Sequence, residues 1–508
     1  MKERVVVHEG SYHDSAFLMR VARDLNAQDH VAEAVVLMGT EMNVELLRSA
    51  GFDDSALDGV GPMDMLVGLR AESEEGLDAV EAELARLLLA GAQSASKDGP
   101  RRYGGLDEAL ADRPETNLVS VAVPGTYAAF VAEQALDAGR HVFLFSNNVA
   151  LEDEIRLKDR AVAEGRLLMG PDCGTAILAG VGLGFANRVR RGVVGMVGAS
   201  GTGLQEVSCL LHNAGVGISQ AIGTGSRDLA AEVGGRMSEF GLRLLAEDSD
   251  TQVLVLICKH PAEEVAERMH GVLAGLGKPS VVRYLGDRAR DDADGVRYAE
   301  SLDEAASMVL EALGHKEARQ DFDIQAMATE ILGGAKPFSG RLVGLFGGGS
   351  LASEAALVLR SKGLQVQVPE HPLKVEPALE GEGHLIVDTG EDFYTQGKPH
   401  PMVDQAVRCA LIRDVGKDPA VDCILLDLVL GDGAHLDPAP EMAQAVEAAR
   451  KARGGKGPFV IASLSGTDLD PQGLERQRHI LRGAGVLVQP SGARAAVLAA
   501  ALLGGKTS

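Results

Sequence analysis

The sequence contains no tryptophan, and aromatic residues make up only 4% of it. Proteins that hold single-stranded nucleic acid usually stack the bases on aromatic side chains, so a base-stacking surface is not expected. The formal net charge is −24, and no long run of lysine or arginine occurs. This charge balance argues against nucleic acid or an anionic membrane as a partner. It leaves room for small anionic substrates, because a few local cations and N–H groups act at short range.

Cysteines are few, and none of them form a C-x-x-C pair. An odd, dispersed set of five predicts reduced thiols rather than a disulfide framework or a zinc site. The first residues lack the basic start and apolar run of a signal peptide, and no apolar stretch approaches the length that spans a membrane. We therefore expect a cytoplasmic protein. The cysteines are Cys173, Cys209, Cys258, Cys409 and Cys423.

Glycine is abundant, and two glycine-rich stretches read almost as copies, at residues 194–203 and 343–350. Each is a short apolar strand, a glycine-rich turn and the start of a helix. Such a turn presents N–H groups at a helix N-terminus, where the helix dipole also favours an anion. Neither copy matches the G-x-x-x-x-G-K-[ST] motif, which excludes a P-loop. The alternative is a turn needed only for tight packing. The predicted phosphate- or substrate-binding residues are Ser200, Gly201, Thr202, Gly203, Gly347, Gly348, Gly349 and Ser350.

Strand and helix patterns alternate along most of the chain, which is typical of α/β proteins with parallel sheets. The pattern predicts several doubly wound (Rossmann- or flavodoxin-like) domains and a small N-terminal α/β or α+β domain. The bounds that we expect are 1–92 for the small domain, 105–190 for a Rossmann domain, and 191–315 and 338–508 for two related flavodoxin-like domains.

Further candidates lie in loops that follow predicted strands, where open α/β sheets bind ligands. Arg227 and Gly225 share one loop, and arginine suits bidentate binding of phosphate or carboxylate. Arg227 could instead be a solvent-exposed side chain. Lys259 follows another strand, and Asn147 and Asp172 end two more. Cys173, which follows Asp172, reads as a small buried thiol rather than a nucleophile.

The densest polar cluster spans residues 388–401 and includes Asp392, Tyr394 and His400. Acidic groups beside a histidine could transfer protons or bind substrate. A histidine in a proline-bounded loop could also be an ordinary surface residue. Asp388, Asp392 and His400 match no standard pattern of metal ligands, so we predict no metal site.

Several of these motifs together closely resemble the FdrA family, and the similarity covers nearly the whole chain. This family is similar to a rearranged succinyl-CoA synthetase. It joins the CoA-binding and ligase domains of the α-subunit to a domain like the C-terminal one of the β-subunit. The resemblance implies CoA as a possible cofactor. The segments that carry it are 151–155, 169–175, 198–203, 227–228, 390–394 and 400–402.

The chain departs from the synthetases at the phosphorylated residue. The resemblance places a phosphohistidine, in a G-H-A-G-A segment, after the strand that matches residues 280–284. Residues 285–294 contain no histidine here. The carboxylate expected after the strand 253–257 is replaced near Lys259. A covalent phospho-enzyme is therefore disfavoured.

The resemblance implies a subunit of an oxamate carbamoyltransferase in purine (allantoin) catabolism, working in an oligomeric complex with other subunits. Carbamoyl phosphate and oxamate would exchange with oxalurate and phosphate. The phosphate would lie on the glycine-rich turn, and Lys259 or Arg227 would stabilise the developing charge. His400 completes the predicted catalytic set. Two alternatives stay open: an acyl-CoA synthetase of the succinate–CoA ligase type, and a non-catalytic subunit that binds a metabolite.

Overall fold

A computed structural model describes the chain except for a few short stretches. Those left out are residues 12, 14, 27, 29, 53, 94–100, 287–289, 316–322, 335, 374–382, 396–398, 456 and 506–508. The chain divides into two compact units, residues 1–114 with 392–399, and residues 115–391 with 400–508. No helix among the described residues is both long enough and apolar enough to cross a bilayer.

The N-terminal unit contains a three-stranded antiparallel sheet, with the strand order β1-β3-β2. Because side chains alternate across a strand, Val67 and Leu69 face one core with the helices α1 and α3, whereas Leu66 faces a second core with Phe52. The antiparallel sheet makes this unit α+β, one of the two predicted classes. Its strands are β1 (Lys2–His8), β2 (Val31–Met38) and β3 (Met65–Ala71), and its helices are α1 (Ser15–Asn26), α2 (Glu41–Ser49), a 3-10 turn (Asp54–Leu57), α3 (Glu74–Gln93) and α4 (Leu106–Asp112).

The second unit begins with a small parallel sheet in the order β4-β5-β6. Two helices connect its strands, as expected for a Rossmann-type segment. The elements are β4 (Leu118–Val121), α5 (Gly125–Asp137), β5 (His141–Leu144), α6 (Leu151–Ala163) and β6 (Leu168–Met169).

A seven-stranded sheet follows, in the order β13-β12-β11-β9-β10-β7-β8. Strands β9 to β13 are parallel, and an antiparallel hairpin, β7–β8, extends the edge beside β10. This hairpin therefore pairs with the sheet of the following predicted domain. The elements are β7 (Thr175–Leu178), β8 (Val181–Gly184), β9 (Arg191–Ala199), α7 (Gly201–Asn213), β10 (Ile218–Gly223), α8 (Arg236–Glu247), β11 (Val253–Lys259), α9 (Glu263–Gly275), β12 (Ser280–Leu285), β13 (Val296–Tyr298) and α10 (Leu302–Ala312).

The last sheet has six parallel strands in the order β15-β16-β14-β17-β18-β19. The predicted α/β class, with several parallel sheets and a small N-terminal domain, is thus confirmed. The elements are α11 (Ile324–Leu332), β14 (Arg341–Phe346), α12 (Gly349–Ser361), β15 (Val366–Gln367), β16 (His384–Asp388), α13 (Asp392–Thr395, which groups with the N-terminal unit), α14 (Ala406–Val415), β17 (Val421–Val429), α15 (Pro438–Ala452), β18 (Phe459–Ser465), α16 (Leu474–Gly483), β19 (Leu487–Gln489) and α17 (Gly492–Leu502).

The two larger sheets share one topology. The order β10-β9-β11-β12-β13 corresponds to β16-β14-β17-β18-β19, and each central strand leads through a glycine-rich turn into a helix. Thr224 donates its N–H to Gly198 O at 2.9 Å, and Thr389 donates to Phe346 O at 2.8 Å. These matching hydrogen bonds align the copies residue by residue. We call the two halves the first and second repeats.

Candidate functional site

The glycine-rich turns of the two repeats touch each other. Ser200 caps α7 by accepting a hydrogen bond from Gly203 N at 3.2 Å, and its Oγ donates to Ser350 Oγ at 2.6 Å. In the reciprocal contact, a Cβ built on Gly348 would lie 2.9 Å from Thr202 Cγ2. The N-termini of α7 and α12 therefore converge at one place. Two positive helix ends at one point favour an anion there.

In the second repeat, the chain supplies that anion itself. The Asp427 carboxylate accepts hydrogen bonds from Gly347 N at 2.7 Å and from Gly348 N at 2.8 Å. Asp427 is buried on β17, and the Arg408 guanidinium forms an ion pair with it. Two of the N–H groups that the sequence assigns to substrate are thus bonded to a side chain of the protein. A phosphate at this turn would have to displace Asp427.

The first repeat has no carboxylate at the equivalent position. In the first repeat, Ile257 on β11 pairs with Gly198 on β9. In the second repeat, Leu426 pairs with Leu345, so Asp427 is next to Phe346, the counterpart of Gly198. Ile257 is therefore the counterpart of Asp427, and it is a buried apolar side chain. The N-terminus of α7 therefore has no buried carboxylate at the place that Asp427 takes beside α12. Of the two turns, the one at Ser200–Gly203 is the better candidate for an external anion.

Two charged side chains from different repeats meet beside the second turn. Lys259 ends β11 and Asp388 ends β16. A Cβ on Gly349 would collide with Asp388 Oδ2 and would lie 2.8 Å from Lys259 Nζ. Only glycine leaves room for both groups at this point. The turn thus brings a cation and a carboxylate to the point where the two helix N-termini converge.

Burial raises the pKa of Asp388 to about 6, although the Lys259 ammonium and a hydrogen bond from Gly390 N at 2.9 Å both lower it. Burial dominates because removing a carboxylate from water disfavours its charged form. Asp388 consequently changes charge just below neutral pH.

His400 lies next to this carboxylate. Its Nε2 and Asp388 Oδ1 lie 2.8 Å and 3.1 Å from the same point, the Cβ position of Gly390. Burial, and secondarily Arg408, lowers the pKa of His400 to about 4, so the ring is neutral at pH 7. The Nδ1 atom accepts a hydrogen bond from Met402 N at 3.2 Å. This bond assigns the proton of the neutral ring to Nε2, which makes Nε2 a hydrogen-bond donor.

Arg227 lies in a separate polar network. Its Nη2 is 2.8 Å from Glu154 Oε2 and donates to Val149 O at 2.9 Å. Glu154 also accepts a hydrogen bond from the fully buried Lys158, which binds Asp228 at 2.8 Å as well. The Arg227 side chain stays 44% exposed. A buried carboxylate of the protein, that of Glu154, already binds the guanidinium. A catalytic role for Arg227 stays a prediction.

The loop glycine Gly225 packs against the neighbouring segment, since a Cβ on it would collide with Pro171 O. Asn147 and Asp172 are exposed at the carboxyl ends of β5 and β6. Their predicted substrate contacts remain untested. Burial raises the pKa of Cys173 to about 12, which supports the interpretation as a buried thiol.

The structure does not assign Asp392 and Tyr394 to this site. Both lie on α13, which groups with the N-terminal unit, and Tyr394 is buried. The side chain of Asp392 lies outside the described residues. Their predicted roles in substrate binding remain predictions.

Sequence reasoning missed a reciprocal pair of buried glutamates. Glu206 and Glu354 each occupy the sixth position of the helix that follows a glycine-rich turn. Glu206 accepts a hydrogen bond from Gly492 N, at the start of α17, at 3.0 Å. Glu354 accepts one from Leu302 N, at the start of α10, at 2.6 Å. Each repeat thus caps the last helix of the other. Alignment of the two copies from their glycine turns would have revealed the shared position.

Comparison with known proteins assigns this chain to a family. The CoA-ligase family matches residues 345–502, and a family described as "AllF, heavy metal-associated domain" matches residues 1–102. The uncharacterized protein YahF of Escherichia coli K12 is 36% identical over 508 residues, with 98% of each chain covered. The chain belongs to the YahF family.

Members of wider families resemble parts of this YahF-family chain. The succinate–CoA ligase [ADP-forming] subunit alpha 2 of Archaeoglobus fulgidus is 28% identical over 244 residues, covering 45% of this chain and 82% of the relative. The crystal structure of PH0766 from Pyrococcus horikoshii OT3 covers 80% of this chain and 87% of its own, at 18% identity and a TM-score of 0.33. The CoA-ligase match includes Gly349, Asp388 and His400. The scaffold is thus similar to succinyl-CoA synthetase.

The heavy-metal description of the N-terminal match does not fit the residues of this YahF-family chain. Residues 1–102 contain no cysteine, whereas soft metal ions select thiolate ligands. Within the described ranges, no group of three histidine, cysteine or acidic side chains is arranged to hold a metal ion.

Proposed function

We propose that this chain is a subunit of an enzyme of purine catabolism that transfers a carbamoyl group between carbamoyl phosphate and oxamate, yielding oxalurate and phosphate. The observation that carries the proposal is the contact between the N-termini of α7 and α12, with Lys259 and Asp388 at the start of α12 and His400 beside Asp388. The choice of substrates comes from the FdrA resemblance. Other subunits of the same complex are part of the proposal.

The arrangement suits a direct transfer without a phospho-enzyme. The phosphate of carbamoyl phosphate would accept hydrogen bonds from the N–H groups of Gly201 and Thr202, at the start of α7, and from the Thr202 hydroxyl, while Ser200 holds the turn through its bonds to Gly203 and Ser350. Lys259 would offset the charge on the leaving phosphate. The His400 Nε2–H group would donate to the carbonyl oxygen, which becomes negative as the nucleophile attacks. This step needs no histidine in residues 285–294.

The test is formation of oxalurate from carbamoyl phosphate and oxamate by the purified chain, alone and with the other subunits. Removal of both hydroxyls by Ser200→Ala with Thr202→Val should lower the rate about 10- to 100-fold, since the change removes the Thr202 donor and the Ser200 hydroxyl that holds the turn. The matched control is Ser361→Ala with Thr329→Val, which makes the same chemical changes at exposed helix positions. If no combination of subunits yields oxalurate, the proposal is rejected. An unchanged rate in the Ser200 and Thr202 variant would favour a non-catalytic subunit.

A second candidate is acyl-CoA ligation through a relocated phosphohistidine, and the position of His260 favours it. The His260 ring covers Gly286, where a Cβ would collide with Cε1 of the ring. His260 N donates to Leu285 O at 3.0 Å, and its φ of 35° is unusual for a residue other than glycine. This ring therefore lies where the segment that lacks a histidine begins.

The discriminating experiment supplies succinyl-CoA and ³²P-labelled phosphate. Acid-labile label on the wild type that disappears in His260→Asn would support ligation. Absence of label, together with no CoA binding by calorimetry, would reject it. His479→Asn, on α16, is the matched control.

A further inference from the structure

Because the scaffold is duplicated, the position where β11 and β16 end has an equivalent, where β17 and β10 end, and the two positions differ in charge. The hydrogen bonds of Thr224 and Thr389 make Gly223 the counterpart of Asp388. The equivalence of Ile257 and Asp427 makes Val429 the counterpart of Lys259. The first position therefore has the Asp388 carboxylate and the Lys259 ammonium group, whereas the equivalent position has a glycine and a valine. Structural features such as the Glu206 and Glu354 caps occur in both repeats, whereas this pair occurs once. This pair is thus specific to one of the two equivalent positions, and the surroundings of its carboxylate indicate its role.

The two oxygens of Asp388 have different surroundings. Oδ1 accepts the hydrogen bond from Gly390 N at 2.9 Å, which orients the carboxyl group. Oδ2 points to Gly349, at the start of α12, where Lys259 Nζ also lies. One oxygen is thus bonded to the backbone, and the other faces the start of α12, which contacts the α7 turn where the phosphate would lie. A carboxylate held in this way is oriented and keeps one oxygen for a ligand.

We propose that Asp388 accepts the proton of the attacking nucleophile in the transfer reaction, an inference that rests on the proposed function. The amide nitrogen of oxamate forms a C–N bond to the carbamoyl carbon and loses one N–H proton to Asp388 Oδ2. The C–O bond to phosphate breaks, and phosphate leaves with the electron pair. The proton then passes from Asp388 to phosphate or solvent.

The alternative base, His400, suits a different role. Its pKa of about 4 makes it a weak base, and its Nε2 carries the proton. The pKa of Asp388, about 6, lies closer to working pH, where a general base is most effective. The charged or titratable groups that face Asp388 are Lys259 on β11, Glu391 in the same loop, Asp427 on β17 and His400 on the loop after α13.

The first experiment measures the pH dependence of oxalurate formation. The wild-type rate should rise up to about pH 6 and then level off. Asp388→Asn should lower kcat about 10²- to 10⁴-fold and remove that rise. Asp388→Glu should restore part of the rate together with the rise. The control is Asp422→Asn. Asp422 also accepts a hydrogen bond from a glycine N–H, that of Gly340 at 2.7 Å, but it lies at the amino end of its strand, whereas Asp388 lies at the carboxyl end of β16.

A second experiment does not depend on turnover. Sulfate keeps a constant charge between pH 5 and 7.5, so calorimetric titration reports the charge of the protein groups around it. Protonation of Asp388 would remove a negative charge from the proposed site, so wild-type affinity should rise about tenfold from pH 7.5 to pH 5. Asp388→Asn should abolish this difference between the two pH values.

The outcomes separate the two proposals. A wild type that never yields oxalurate rejects the reaction and, with it, the proton-acceptor role. An active wild type whose Asp388→Asn variant keeps its rate within about threefold, with the rise near pH 6 intact, overturns the role alone. Identical pH dependence of sulfate binding in both proteins also overturns it, because the carboxyl group would not face the anion.

Discussion

The buried Glu354 side chain should make the stability of the protein decrease as the pH rises. Burial raises its pKa from 4.5 to about 7, while the neighbouring Arg283 guanidinium and the Leu302 N–H group lower it. The folded protein therefore holds this proton more tightly than the unfolded chain. Below pH 4.5 both states are protonated. Between pH 4.5 and 7 only the unfolded state releases the proton, which favours unfolding.

The size of this effect follows from the change in pKa. Each pKa unit is worth about 1.4 kcal/mol, so a rise from 4.5 to about 7 costs about 3 kcal/mol of folding free energy above pH 7. Glu354→Gln removes the titration of this group but keeps an oxygen that can accept the Leu302 N–H bond. Glu206, whose pKa burial and the Glu354 carboxylate also raise, still titrates in the variant. Between pH 5 and pH 8, the free energy of unfolding should thus fall by about 3 kcal/mol more in the wild type than in the variant.

Differential scanning calorimetry between pH 5 and 8 measures this difference. The transition of the second unit should shift less with pH in Glu354→Gln than in the wild type. Glu447→Gln is the control, because Glu447 is exposed on α15 and its replacement should leave the pH dependence unchanged. If the wild type and Glu354→Gln lose stability in parallel as the pH rises, the reasoning about the buried proton is wrong.

Two further substitutions probe the site and the ion pair beneath it. Gly349→Ala adds a Cβ that collides with the Asp388 carboxylate, so anion binding and transfer should fall at least about tenfold. The control is Gly271→Ala on α9, where no atom lies within 4 Å of the added Cβ; it should change neither property and should stabilise the helix by up to about 1 kcal/mol. Equal anion binding by the wild type and Gly349→Ala would count against the site. Arg408→Leu leaves Asp427 buried without its cation, so the free energy of unfolding in urea should fall by about 3–5 kcal/mol. Arg413→Leu, at an exposed position of the same helix, should lower it by less than about 0.5 kcal/mol. Similar decreases in both variants would contradict the role of the ion pair.

The two repeats have kept some features in common and diverged in others. The capping glutamates and the contact between the turns occur in both, because each stabilises the packing of one repeat on the other. The anion that Asp427 supplies to the second turn has no counterpart in the first. A buried carboxylate thus lies beside one helix N-terminus and an isoleucine beside the other. This asymmetry is the reason that we propose the first turn, and not the second, for a ligand.

Local patterns in the sequence are sufficient for most of the secondary structure. The strand at Val31–Met38 and the helix starts at Glu41 and Glu74 follow from apolar alternation, helical periodicity and a capping Thr40. The hairpin β7–β8 escaped sequence reasoning. Its two-residue turn uses Ala179 at a φ of 51°, which composition does not signal, and its strands are stabilised by pairing with β10.

By itself, the sequence determined the α/β class, the duplication and the two glycine-rich turns, because each depends on residues that are neighbours along the chain. Only the tertiary structure decided which turn is bonded to a carboxylate of the protein. The Asp427 carboxylate that fills the second turn lies 80 residues from Gly347. The Lys259 and Asp388 side chains that meet at Gly349 come from different repeats. Contacts of this kind depend on how the sheets pack, and no local pattern of residues encodes that packing.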